Sequence, residues 1–225
     1  MNPSVFAFIS DCHLTSRQAD NFMLLQESQL FLQDAIKQIN LLRPDFVVFG
    51  GDQVQSVGDS DVNWQLFLDV LQNLDCSWHF VLGESDVSGS VPIHKMHTYG
   101  RDWKGKGLNN NESYWSCDPM KGVHLIGLDT SQPNSVTGHI DHTQLQWLEK
   151  DLNQNPSPLT IVISHHPLVA NTNYEKNYLL PQAESVCNLL NKSGSKIFSI
   201  SGHTHLSKIQ KQANIWYVST PSLDV

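Results

Sequence analysis

The sequence predicts an α/β fold in which a buried sheet is flanked by helices. Short apolar runs alternate with segments of helical periodicity, and glycine or proline punctuates the joints between them. Carboxylates and histidines stand just past the ends of the apolar runs, where α/β sheets carry their functional loops.

Residues 5–9 form a short apolar run that ends at Ser10 and Asp11, as a buried strand entering a loop does. Over 22–42, Phe22, Leu25, Leu32, Ala35, Ile36 and Ile39 recur at three and four spacing and make one helical face, closed by Arg43 and Pro44. A second strand over 46–49 is stopped by Gly50 and Gly51. Trp64, Phe67, Leu68, Leu71 and Leu74 mark a second helix, and 78–82 a third strand ending at Gly83. The stretch 87–113, with scattered Gly, His and Lys and the triplet Asn109, Asn110 and Asn111, reads as a long functional loop.

Residues 114–117 and 123–128 read as adjacent strands joined by a turn containing Pro119 and Gly122, opening a second sheet. Asp141 followed by Gln144 has the form of a capping box and predicts a helix over 141–153, ended by Pro156 and Pro158. Strands follow over 159–163 and 197–200, separated by a helix over 182–190, and 215–218 is the last strand.

Composition narrows the function. The 225 residues suit a single domain, 1–225, and 40% hydrophobic with 16% charged residues describes a globular chain. A net charge of −8 argues against long nucleic acid and anionic membrane as partners. An anionic substrate therefore needs a local cation, and 11 histidines against 14 Lys plus Arg favour bound metal over a basic patch. Cys12, Cys76, Cys117 and Cys187 form no CxxC pair, which suits a reduced, cytoplasmic location. No apolar run approaches the roughly 20 residues of a membrane span.

Five segments follow predicted strands: Asp11-Cys12-His13, Gly51-Asp52, Gly83-Glu84-Ser85-Asp86, His165-His166-Pro167 and Gly202-His203-Thr204-His205. In extended backbone, residues i and i+2 share a side, so Asp11 with His13, and His203 with His205, are expected to converge on one centre. Carboxylate oxygen with imidazole nitrogen suits zinc, manganese, iron or nickel. Asp52 has two oxygens with which to bridge a pair of ions.

In their order these blocks resemble the calcineurin-like metallophosphoesterases, whose signature runs DxH, GD, GNH followed by D or E, a later H, and GHxH. Leu128-Asp129-Thr130-Ser131, Gly138, Gln144-Leu145-Gln146-Trp147-Leu148 and Thr220-Pro221-Ser222 resemble the branch holding class III cyclic nucleotide phosphodiesterases and purple acid phosphatases. The likeness spans 5–222. It implies a four-layer αββα sandwich with two central mixed β-sheets and a dinuclear centre of manganese, iron or zinc at their loop edge. By carry-over, Asp11, His13, Asp52 and His205 hold one ion, and Asp52, Glu84, His165 and His203 the other. His165 is preferred to His166 because the family ligand stands two residues before the proline; an outer role or a substrate contact stays open for His166. The implied activity is hydrolysis of a small phosphodiester such as a cyclic nucleotide, with a metal-bridging hydroxide as nucleophile. The relatives continue past the Thr-Pro-Ser segment, so a domain shortened at its C-terminus is expected, with an open sheet edge that favours an oligomer.

The third block departs from the pattern. Glu84 replaces a neutral asparagine, so two divalent ions against three carboxylates leave about one positive charge, where the family pattern leaves about two. Ser85 replaces a histidine that stabilises the phosphoryl charge and protonates the leaving oxygen, and a serine hydroxyl does neither near neutrality. Ser85 and Asp86 are nonetheless the residues that occupy the catalytic positions, with Asp86 expected to bond either Ser85 or loop backbone. His94 and His97 read as surface histidines rather than a substitute acid. A second reading follows: an impaired relative that binds metal and a phosphorylated ligand as a sensor or interaction module.

Overall fold

The computed structural model describes residues 4–16, 27–55, 60–87, 92–99, 112–170 and 178–223. Its elements run β1 (Phe6–Ile9), α1 (Ser28–Leu42), β2 (Phe46–Gly50), α2 (Ser60–Leu71), β3 (Ser77–Val81), α3 (Pro92–Tyr99), β4 (Trp115–Met120), β5 (Val123–Gly127), α4 (His142–Gln154), β6 (Leu159–Ile163), α5 (Ala183–Lys192), β7 (Lys196–Ser201), β8 (Lys208–Gln212) and β9 (Ile215–Ser219). One sheet has the order β1-β2-β3 and the other β4-β5-β6-β7-β9-β8. The first is parallel throughout; the second is mixed, with β4 and β8 antiparallel at its two edges.

Side-chain alternation along the strands sets the layers. In the larger sheet Leu125, Ile161, Ile163 and Ile200 join a core shared with the smaller sheet and with Leu32, Ile36, Trp64 and Phe67 of α1 and α2. Their neighbours Ile126, Val162 and Ile215 turn the other way, onto Leu148 and Leu152 of α4 and Val186 and Leu190 of α5. The result is helices, sheet, sheet, helices, the four layers expected. The sheets are pinned to each other where the buried Trp115 indole donates to the Phe80 carbonyl, 2.9 Å away.

Several boundaries differ from the sequence reading. α1 ends as expected, with Arg43 at φ 50° bonding back to Ile39 ahead of Pro44, while positions 22–26 of the expected helix lie outside the described residues. α2 begins earlier and ends at Leu71, so Leu74 follows the helix and packs on the core from the connection. The expected loop over 87–113 contains α3, whose Pro92 suits a first helical turn; Met96 is buried and the Lys95 ammonium reaches Asp61 at 3.4 Å. His94 is exposed on it, and the His97 side chain lies outside the description. Pro119 is within β4 at a register irregularity rather than in the turn. β8 was not anticipated, because KIQKQ has no apolar alternation; its pairing with β9 rests on backbone bonds at a sheet edge.

Candidate metal centre

Five parallel strands end on one edge of the molecule, and each feeds the site. β1 leads to Asp11 and His13, β2 to Asp52, β3 to Glu84, β6 to His165 and His166, and β7 to His203 and His205. Pairing continues past the first two strands, with Asp11 N–H donating to Gly51 O (3.0 Å) and His13 N–H to Asp52 O (2.9 Å).

Extended backbone is not what makes the ligand pairs converge. Asp11, His13, Asp52, His203 and His205 have φ of 56°, 46°, 52°, 69° and 56°, in the left-handed region that L residues avoid. Each such residue costs roughly 1–3 kcal/mol and persists only where the surroundings over-determine it. Gly51, at φ 100°, also lies so close to the His165 ring that no Cβ fits there.

The turns bring all seven expected ligands together. His205 Nε2 is 3.4 Å from Asp11 Oδ1, His13 Nε2 is 3.8 Å from Asp52 Oδ2, and His165 Nε2 is 3.6 Å from the same Asp52 oxygen. Glu84 Oε2 is 3.0 Å from His165 Nε2, and its Oε1 is 3.2 Å from His203 Nδ1. Three sets place their ligand atoms within 4.8 Å of one another: Asp11, His13 and His205; Asp11, Asp52 and His165; Glu84, His166 and His203. His166 thus enters the cluster alongside His165.

The donor chemistry fits divalent transition metals. Both ring nitrogens of His13, the Nε2 atoms of His165, His166 and His203, and Glu84 Oε2 are buried without a hydrogen-bond partner. So many buried polar atoms left without a partner are costly unless a cation takes up those that offer a lone pair. His165 Nδ1 lies 2.9 Å from Gly50 O and donates to it, which fixes the tautomer and leaves Nε2 a free lone pair. Burial drives the Asp11 carboxyl up, but the His205 bond and the charges of His165 and His13 outweigh it and hold the group at about 2. Glu84 is likewise held low against burial by His165 and His203, and burial of the His165 ring is overcome by Asp52 and Glu84, which raise it.

A family model described as calcineurin-like phosphoesterase matches residues 4–207. The chain belongs to the calcineurin-like phosphoesterase family. The expected enzyme class, a metal-dependent phosphoesterase, stands with that membership. A probable glycerophosphodiester phosphodiesterase of Arcobacter nitrofigilis is 28% identical over 205 residues, 88% of this chain and 70% of that protein. A 3',5'-cyclic-nucleotide phosphodiesterase of Nostoc sp. is 23% identical over 224 residues, 98% of this chain and 78% of its own. Among solved structures, a dimetal phosphatase from Danio rerio superposes with a TM-score of 0.81 at 16% identity, covering 97% of this chain and 87% of that one, a likeness of fold alone.

In this calcineurin-like phosphoesterase the unusual third block braces the site. Ser85 N–H donates to Asp52 Oδ1 (2.8 Å) and Ser85 Oγ donates to Asp52 Oδ2 (3.0 Å). Of the two alternatives for Asp86, loop backbone is the one observed: its oxygens accept from Gly83 N–H (2.9 Å) and Val54 N–H (3.0 Å), tying the second loop to the third. Full burial and the nearby Asp52 push the Asp86 carboxyl well up.

Other anchors escaped the sequence reading. His203 N–H reaches both Asp11 carboxylate oxygens at 3.1 Å, and Ser222 Oγ donates to the Asp11 carbonyl at 2.8 Å. The Ser10 and Thr220 hydroxyls meet at 2.8 Å. The Thr-Pro-Ser segment therefore fastens the smaller sheet's first loop to the larger sheet. Its signal was present as a motif, without a task attached.

Among the described residues no helix is long and apolar enough to cross a membrane.

Proposed function

We propose that the chain hydrolyses a small phosphodiester, such as a cyclic nucleotide, at a centre of two ions of the manganese, iron or zinc type. The observation that carries this reading is the convergence of seven ligand side chains, of which His13, Glu84, His165 and His203 keep buried polar atoms with no hydrogen-bond partner. The names of the relatives from Nostoc and Arcobacter support the substrate class. Asp11, His13, Asp52 and His205 would hold one ion, and Asp52, Glu84, His165 and His203 the other. Asp52 would serve both, since its Oδ2 lies 3.8 Å from His13 Nε2 and 3.6 Å from His165 Nε2. When bound, the ions supply Lewis acidity for an in-line displacement at phosphorus. Asp11, Asp52 and Glu84 neutralise much of that charge. Ser85 keeps Asp52 from rotating, so the bridge is pre-organised. With serine at position 85, esters whose leaving group needs no proton react best.

The test is turnover of bis-para-nitrophenyl phosphate with added manganese, with Asp52→Asn as the control. Hydrolysis by the wild type and none by the variant is expected, together with about two metal ions per wild-type chain by elemental analysis. Ser85 itself favours the second reading, a metal- and phospho-ligand-binding sensor. Two bound ions and saturable binding of a phosphodiester without turnover would establish that reading instead.

A further inference from the structure

His166 is the one side chain of the cluster that the ligand assignment above leaves without a task. It is fully buried, and its Nε2 has no hydrogen-bond partner. A ring nitrogen left dry in this way is destabilising, so a buried site that retains it needs an occupant. Nε2 lies 3.7 Å from Glu84 Oε2, and the ligand atoms of Glu84, His166 and His203 all fall within 4.8 Å of one another. The ring is held from behind. Nδ1 is 2.8 Å from Thr130 Oγ1, and Gly138 passes so near that a Cβ there would meet ring atom Cγ at 2.6 Å. Backing one ring nitrogen to aim the other is how protein sites orient a ligating histidine.

We propose that His166, through Nε2, is itself a ligand of the second metal position, beside Glu84, His165 and His203. The inference rests on the dinuclear reading above and extends it. It gives Glu84 a partner: where a carboxylate stands for a neutral amide, an additional imidazole accompanies it. Two carboxylates, Asp52 and Glu84, with three imidazoles make a nitrogen-rich set, which favours zinc, cobalt or nickel over magnesium or manganese at that position. Thr130 then acts as a positioning residue: its Oγ1 backs Nδ1 and accepts from the His166 N–H at 3.3 Å, and it makes no bond to Nε2.

Titration of the chelator-stripped full chain with Co²⁺, followed by visible absorption and calorimetry, tests this. Wild type is expected to take up two ions per chain. His166→Ala is expected to keep the first at wild-type affinity and to bind the second at least about tenfold more weakly, with an altered absorption band for that ion. Thr130→Val, which leaves Nε2 in place but frees the ring, is expected to weaken the second ion by about tenfold. Circular dichroism and the unfolding midpoint of the metal-free proteins establish that each variant is folded. A folded His166→Ala that binds the second Co²⁺ with wild-type affinity and spectrum overturns the inference. If His166→Ala does not fold, Thr130→Val decides, and an unchanged second-ion affinity overturns it. Wild type that binds no Co²⁺ would overturn the phosphodiesterase reading as well, whereas two ions bound without phosphodiester turnover would overturn that reading alone.

Discussion

Ser85 holds both oxygens of Asp52, one through its backbone and one through its hydroxyl, and so does a different job from the histidine of the family pattern. Two substitutions separate the jobs. Ser85→Ala removes a charge-assisted bond and frees the Asp52 carboxylate, so metal retention in a chelator competition should fall by about tenfold while the fold is kept. Ser85→His should give back a group able to protonate a leaving alkoxide, a contribution of about 10²- to 10⁴-fold when fully realised. At matched metal occupancy the gain should be larger for alkyl esters than for para-nitrophenyl esters, whose leaving group needs no proton. Equal gains on both, or none in the fully metallated variant, would show that this position no longer belongs to the catalytic machinery.

At the scale of elements, α4 shows how a local signal is partly redirected. Asp141 caps the helix as expected, accepting from Gln144 N–H at 2.7 Å. The Gln144 side chain does not return to the cap. Its Oε1 accepts from Asp129 N–H at 2.9 Å and its Nε2 donates to Asp129 O at 2.8 Å, so it clamps the loop after β5 that carries Thr130. Asp129 in turn accepts from Ser131 N–H and Oγ and from Ser113 Oγ. Losing the cap in Asp141→Ala should cost about 1 kcal/mol. Gln144→Leu leaves two buried backbone groups unpaired and should cost more, roughly 2–4 kcal/mol. Urea unfolding of the two variants tests the ranking, and a smaller loss for Gln144→Leu would contradict the clamp.

Over the whole molecule, two buried histidines outside the site make stability depend on pH with opposite signs. His79 stacks on Trp115, and burial depresses it from 6.5 to about 4. The unfolded chain therefore binds the extra proton between about pH 6.5 and 4, and stability falls as pH drops through that window, by roughly 3 kcal/mol in all. His124 lies 2.7 Å from both Asp118 and Asp151; burial lowers it, but those two bonds prevail and raise it above its usual value. Its contribution is complete below about pH 6.5 and is lost as pH rises through the raised folded value. Unfolding midpoints taken in chelator should thus change less between pH 6.5 and 4 in His79→Phe than in wild type. The deficit of His124→Asn should be largest below pH 6.5 and shrink above it. Parallel curves for variant and wild type would refute either assignment.

How much of this was legible depends on the range of the interaction involved. The succession of β1 to β7 along the chain, the buried character of β2 and β6 and the loop position of Asp11, Asp52, Glu84, His165 and His203 follow from local rules: apolar runs must be buried, and glycine lets the chain turn where they end. The sequence by itself therefore determined a buried sheet flanked by helices and the order of the seven candidate ligands, whereas the four-layer arrangement was implied by the family resemblance. Backbone strain was not legible, because five candidate ligands adopt positive φ only where distant loops, such as the Thr-Pro-Ser segment behind Asp11, hold them there. Nor was β8, whose polar KIQKQ is a strand only because β9 offers it hydrogen bonds. α3 was hidden for a similar reason: its buried Met96 and the reach of Lys95 to Asp61 depend on packing rather than on a helical stripe. The entry of His166 into the cluster was decided last, by Thr130, 36 residues away in the chain, and by a glycine that makes room for the ring. Periodicity is written in neighbouring residues, whereas the aim of a side chain is set by whatever tertiary structure places behind it.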